Sequence, residues 1–205
     1  YIKKPENYGT MLQFMGPSQN FFNYVLQVNR EKGTQWMSSA LGFSTTYMVM
    51  GKFALKDNLS LDLMYQHNKE DDWLNWIEGN LLGTYEKKQR VTVAGLNWFG
   101  GDKHELRMKA QMVAFTARKP KAYLGDSFGH LNNVDLALDP FSLSDLAFQI
   151  RYRYEILPLA YLYVVYSKGG RIVEFDREDS LGELYKRPWN DPQADNFTVK
   201  VRYRF

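Results

Sequence analysis

Residues 196–205 read Asn196, Phe197, Thr198, Val199, Lys200, Val201, Arg202, Tyr203, Arg204, Phe205. In an extended chain Phe197, Val199, Val201, Tyr203 and Phe205 share one side, while Thr198, Lys200, Arg202 and Arg204 share the other. A helix would scatter both sets around its circumference. The segment is a strand with one apolar face and one cationic face.

The same period of two recurs upstream. In 146–156, Leu146, Phe148, Ile150, Tyr152, Tyr154 and Ile156 oppose Gln149, Arg151, Arg153 and Glu155. In 104–115, Leu106, Met108, Ala110, Met112 and Ala114 oppose Glu105, Arg107, Lys109 and Gln111. In 59–67, Leu59, Leu61, Leu63 and Tyr65 oppose Ser60, Asp62, Met64 and Gln66. Shorter runs around 22–28, 47–55 and 162–166 alternate too, and 8–15 is the faintest. In 84–99 the two faces compete, Val91, Val93 and Gly95 against Ala94, Leu96 and Trp98, which a bulge would explain.

Composition agrees with strands. Of 205 residues 16% are aromatic (Tyr 14, Phe 13, Trp 5), a weight that suits sheets. There is no Cys, which excludes disulfides and thiolate zinc sites, and three His leave little for a histidine-built one. A net charge of +3 is too balanced to mark a nucleic-acid binder, and Arg and Tyr fall on opposite strand faces, whereas base stacking needs both on one surface. Nothing calls for a cofactor or a metal. Mean hydropathy is −0.47, which reads as soluble until one notes that a transmembrane β-strand alternates lipid-facing and lumen-facing residues.

Turn signals alternate in size. Short ones fall at 16–19, 56–58, 100–102 and 157–159, long polar ones at 31–44, 68–83, 116–142 and 168–195. Short turns on one rim and long loops on the other imply an antiparallel transmembrane β-barrel, with the short turns periplasmic. Nine strands are expected, whereas complete bacterial barrels have even counts. A start at Tyr1 with no signal peptide means either that processing removed one or that the chain is part of a longer protein. The odd count predicts that 1–205 is a single portion, the C-terminal part of a larger barrel, which missing N-terminal strands or a second chain would complete; without the faint 8–15 strand, eight strands could close alone.

The end of the chain resembles the C-terminal assembly signal of bacterial outer-membrane proteins, in which a final aromatic, here Phe205, follows another two positions earlier, here Tyr203. Lys200 stands where that signal usually has Gly. The segments 149–155 (QIRYRYE), 164–170 (VVYSKGG) and 104–107 (HELR) resemble the uncharacterised C-terminal barrel region of bacterial proteins known as carbohydrate-binding family 9 domain-containing. The likeness spans roughly 59–205. It implies a Gram-negative outer-membrane location, outer-membrane lipid and the barrel assembly machinery as partners, and a barrel preceded by a sugar-binding-like domain. It supplies no catalytic residues.

Three candidate sites follow. The inward sets Arg107, Lys109, Arg151, Arg153, Lys200, Arg202 and Arg204, with Asp62, Glu105 and Glu155, would line a lumen, since charges cannot face lipid cheaply. An open basic lumen would pass anions or other polar solutes; a filled one would pair the Arg with carboxylates. Trp73 and Trp76, beside Asp71, Asp72, Asn75 and Glu78, and Trp189, beside Asn190 and Asp191, are possible glycan contacts; interfacial aromatic belts explain such Trp without a ligand. A rim hydrolase would need a base, for which only His67 and His130 qualify, His130 near Ser127 and Asn132. Loop His and Ser are common, so the expectation is a barrel for passage or anchoring with no active site. Asp176, Glu178 and Asp179 show no EF-hand spacing.

Overall fold

The alternating segments become strands that are longer than the alternation suggests. The computed structural model describes residues 6–16, 21–33, 40–175 and 179–203. They form β1 (Tyr8–Met15), β2 (Phe22–Lys32), β3 (Phe43–Lys56), β4 (Leu59–Glu78), β5 (Leu81–Gly100), β6 (His104–Gly125), β7 (Leu131–Val134), β8 (Phe141–Leu157), β9 (Ala160–Phe175) and β10 (Ala194–Arg202), with one helix, α1 (Leu181–Asn190). Nine strands make one antiparallel meander, β1-β2-β3-β4-β5-β6-β8-β9-β10, and the short β7 pairs with β6. The sheet is open: β1 and β10 each pair on one side only.

The nine expected strands are all present, the faint 8–15 included. Two of the long loops are corrected. Most of 68–83 is strand, since β4 runs to Glu78 and β5 starts at Leu81, leaving a two-residue turn with Gly79 at φ 49°. In 116–142, β6 continues to Gly125, β7 follows, and β8 begins at Phe141. The stretch 168–195 holds the end of β9, α1 and the start of β10. These pieces look loop-like because they are polar, yet they keep the pairing register. The three breaks in that register are bulges: Asp71 and Asp72 face the single Glu86, Ile77 is the extra residue between Trp76 and Glu78, and Lys119 and Pro120 face the single Tyr85. Asp72 and Lys119 take the left-handed conformation that such bulges use, at φ 54° and 51°. In 84–99 the register breaks between Thr84 and Glu86, but pairing from Glu86 to Gly100 is regular, so the competition at Val91–Trp98 comes from both faces of β5 being apolar there.

Ten-residue helices are marginal alone. α1 is held by a reciprocal capping box, Ser180 Oγ accepting from the Glu183 N–H (3.2 Å) and Glu183 Oε2 accepting from the Ser180 N–H (2.8 Å), and by burial of Leu184 and Pro188 against the sheet.

Candidate functional site

Cross-strand register sorts the side chains into two faces. One row of partners runs Leu26, Val49, Tyr65, Thr92, Met112, Leu146, and another Phe22, Phe53, Leu61, Leu96, Met108, Ile150, Tyr166, Phe197. This is the front face. The back face carries rows such as Asn97, Arg107, Arg151, Val165, Thr198. The ends also differ: one bears the short turns after β3, β5 and β8, the other the long hairpins.

Near the short-turn end the front face is an apolar band whose side chains remain exposed on the outer strands, from 40% for Val28 to 70% for Leu12. A contiguous apolar surface on this scale is rare on a soluble monomer. Aromatic rings edge it on both sides. Phe22, Phe53, Trp98, Tyr152 and Tyr154 lie toward the short turns, Phe22 stacking on Phe53 at 4.6 Å and Tyr152 Oη sitting 2.6 Å from His104 Nδ1. Tyr47, Tyr65, Tyr166 and Phe197 lie toward the hairpins, where Trp189 of α1 packs on Phe148 at 5.2 Å. The upper edge of the band drifts across the sheet, from Val28 and Tyr47 to Tyr65, Thr92 and Leu146, then to Tyr166 and Phe197. From β2 to β10 it falls six residues in seven inter-strand steps. At about 3.3 Å per residue and about 4.8 Å per strand, a level plane then crosses strands tilted by roughly 30°.

The back face at the same height holds the expected inward charges. Asp62, Glu105, Arg107, Lys109, Arg151, Arg153, Glu155, Lys200 and Arg202 all fall on it by register, while Arg204 and Phe205 lie outside the described residues. Their geometry is convergent. Glu105, 3% exposed, pairs with Arg107, with Arg151 at 3.3 Å and with Arg153 at 2.7 Å. Arg153 also lies over the Tyr161 ring at 5.3 Å. One carboxylate therefore offsets three guanidinium groups. Toward β2–β5 the back face turns apolar, with Val25, Met50, Met64 and Val93 in a row, a feature the sequence reading missed.

Beyond the band the two faces exchange character. On the front, rows of His67 with Arg90, and of Lys69, Lys88, Thr116 and Ser142, replace the apolar residues. On the back, Trp73, Tyr85, Phe115, Phe141 and Phe175 form an aromatic cluster, with Tyr85 and Phe141 edge to face at 5.3 Å. Trp73 and Phe141 stand 6.3 Å apart although three strand spacings, about 14 Å, separate β4 from β8, so the sheet curls toward its back face. Lys87 lies over the Trp73 ring at 4.9 Å and pairs with the buried Glu70 at 3.0 Å.

The other candidates are dispersed. Trp73 is enclosed by rings on the back face. Trp76, on the front, is exposed and donates from Nε1 to the Gly79 carbonyl (3.0 Å). Trp189 caps Phe148 from α1, with Lys168 Nζ at 5.9 Å. The structure does not bring the three together. His67 lies opposite Arg90, and its Nδ1 has no hydrogen-bond partner among the described residues, so no carboxylate orients it as a base. His130 Nδ1 is 3.1 Å from Asp126 Oδ2, but the same carboxylate accepts the backbone N–H groups of Phe128 and His130, both at 2.8 Å, which makes the pair part of a tight turn. Among the described residues no three His, Asp or Glu side chains gather as metal ligands would. No protein-family model and no curated protein matches this sequence.

Proposed function

We propose that this chain is a membrane-embedded portion of a Gram-negative outer-membrane β-barrel. In this reading the front face meets lipid, the back face lines a lumen, and the short turns are periplasmic. The observation that carries it is the exchange of polarity along single strands. β6 presents Leu106, Met108, Ala110 and Met112 on the front before Thr116 and Arg118, and Arg107, Lys109 and Gln111 on the back before Phe115 and Ala117. A sheet in water packed on one core keeps the same face apolar throughout. A strand whose lower part is bathed by lipid and whose upper part is in water must change sides.

Dimensions agree. The front run of β6 from Leu106 to Met112, with His104 of the lower aromatic edge below it, spans nine residues, where a tilted transmembrane strand needs about 9–11. Aromatic residues on both edges match interfacial girdles, and the drift of the band edge comes close to the strand tilt of such barrels, roughly 35–45°. The edges of β1 and β10 would be untenable in lipid with unpaired backbone groups, so further strands, from the same polypeptide or a second chain, complete the wall. The barrel assembly machinery would insert it, with Tyr203 at the short-turn end in the assembly signal. The role we assign is passage or anchoring of a barrel for polar solutes, in keeping with the resemblance to the barrel region of carbohydrate-binding family 9 domain-containing proteins.

Single-Trp variants of the full-length protein in vesicles of brominated lipid test this. Trp98 and Trp189 should be quenched and Trp76 should not. A protein that stays soluble without detergent, or equal quenching of all three, overturns the reading.

A further inference from the structure

We infer that the front face carries a binding site for the anionic phosphate of a lipid headgroup immediately above the apolar band; this rests on the membrane reading. The site is built from strand register. His67 faces Arg90, and Lys69 faces Lys88, which in turn faces Thr116; Arg118 lies one row further on. Like charges directly opposite each other across a strand pair repel, and Lys69 and Lys88 form such a pair beside Arg90. Burial, helped by the charges of Arg90 and Lys88, holds His67 below its usual pKa and so neutral. Arg90 Nε is buried without a hydrogen-bond partner among the described residues, as is His67 Nδ1. The N-terminal end of α1 walls the patch into a cleft of about 870 Å³.

The acidic groups around the cleft are already engaged. Glu86 accepts from Lys119 at 2.7 Å, Asp179 Oδ1 pairs with Arg187 at 2.7 Å, and Glu183 caps the Ser180 N–H. Asp71, which approaches Lys69 at 3.2 Å, neutralises one of the facing cations. Lys88 and Arg90 have no carboxylate within ion-pair distance among the described residues, and the cleft has a net excess of positive charge.

Position selects the source of the phosphate. Leu63 and Tyr65 of the apolar band, each 42% exposed, lie directly below His67 on the same face, whereas Met112 is buried and Thr92 meets α1, its Oγ1 2.9 Å from Tyr185 Oη. An amphiphile with its chains on the band has its headgroup at the height of the cleft. A soluble anion would gain only the upper half of this arrangement.

The test uses the full-length protein in phosphatidylcholine vesicles with and without phosphatidylglycerol, comparing wild type with K88Q/R90Q and with K87Q, which alters the back face. Protease protection reports insertion, and the anionic lipid retained after detergent extraction reports binding. The expected result is insertion of all three proteins, selective retention of phosphatidylglycerol by wild type and K87Q, and weakening in K88Q/R90Q by roughly fivefold for each cation removed. Failure to insert overturns the membrane reading and this inference with it. Insertion with equal retention of both lipids, or with K88Q/R90Q behaving as wild type, overturns the inference alone. Displacement of the lipid by millimolar inorganic phosphate would overturn the assignment to a lipid headgroup.

Discussion

Glu105 and Arg153 are direct cross-strand partners on β6 and β8, their Oε2 and Nη2 atoms 2.7 Å apart, and Glu105 is the buried member of the pair. Arg107 and Arg151 approach the same carboxylate from the neighbouring positions of the back face. Three Arg of the cationic stripe read from the sequence are thus gathered around one acid.

Glu105→Gln should therefore cost more than the loss of any one Arg. It leaves three guanidinium groups facing each other. Breaking a fully buried pair costs about 3–5 kcal/mol, but the Arg side chains are 36–44% exposed, so solvent screening reduces this to roughly 1–3 kcal/mol. Arg151→Gln should cost under about 1 kcal/mol. Urea unfolding in detergent micelles checks this, and equal midpoints for the two variants would contradict it.

The period of two made most of this sheet legible, and the reason lies in Leu106–Met112 and Phe148–Tyr154, where apolar and polar faces alternate without interruption. It failed where the alternation changed phase. Beyond Ala114 the apolar side chains move to the other face with Phe115, so a reading that follows one face sees polar loop where β6 continues. In β5 both faces are apolar, Val91 and Val93 on the back and Leu96 and Trp98 on the front, and the pattern loses its contrast. For α1 the signal was available: Ser180 and Glu183 have the spacing of a capping box. For the cleft above the band there was none, because His67, Lys69, Lys88, Arg90 and Arg118 come from three strands.

Leu184→Ala should release α1 from the sheet. Leu184 is 1% exposed, and truncating such a core leucine costs about 2–5 kcal/mol, more than a ten-residue helix can recover from its own hydrogen bonds. Ser180→Ala removes only the cap, at about 1 kcal/mol. Limited proteolysis of the folded protein should cut L184A within 179–193 while leaving the strands intact, and S180A should be cut more slowly. If L184A is no more sensitive than wild type, the helix is not held by this side chain.

The turn at 126–130 should loosen in acid. The His130 backbone N–H holds the Asp126 carboxyl below its usual range, with the His130 ring and the Phe128 N–H adding to the effect. A carboxylate whose folded value is depressed stabilises the turn above the ordinary value, about 3.9, and loses that contribution as the pH falls through the lowered one. Amide exchange at Phe128 and His130, corrected for intrinsic rates, should rise as the pH falls from neutral into that window. Asp126→Asn should remove the dependence, and a response that persists in it would assign the titration elsewhere.

On the barrel reading proposed above, ion selectivity depends on which back-face cations are not already neutralised. Arg107, Arg151 and Arg153 share Glu105, so their field at a distance is that of about two charges. Lys109 has no carboxylate within ion-pair distance among the described residues and lies two strands from Asp62, across Gly95. In a lumen whose low-dielectric walls strengthen the field, this excess should favour anions. Lys109→Gln should then reduce anion preference by at least as much as Arg151→Gln. The preference should also fade as salt rises, since the screening length shrinks from about 10 Å at 0.1 M to about 3 Å at 1 M. Reversal potentials of the full-length protein in planar bilayers measure both effects. Cation preference at low salt would mean that the strands beyond β1 and β10 bring an opposing charge, and the absence of conductance would mean that the apolar row of Val25, Met50, Met64 and Val93 is covered by a plug.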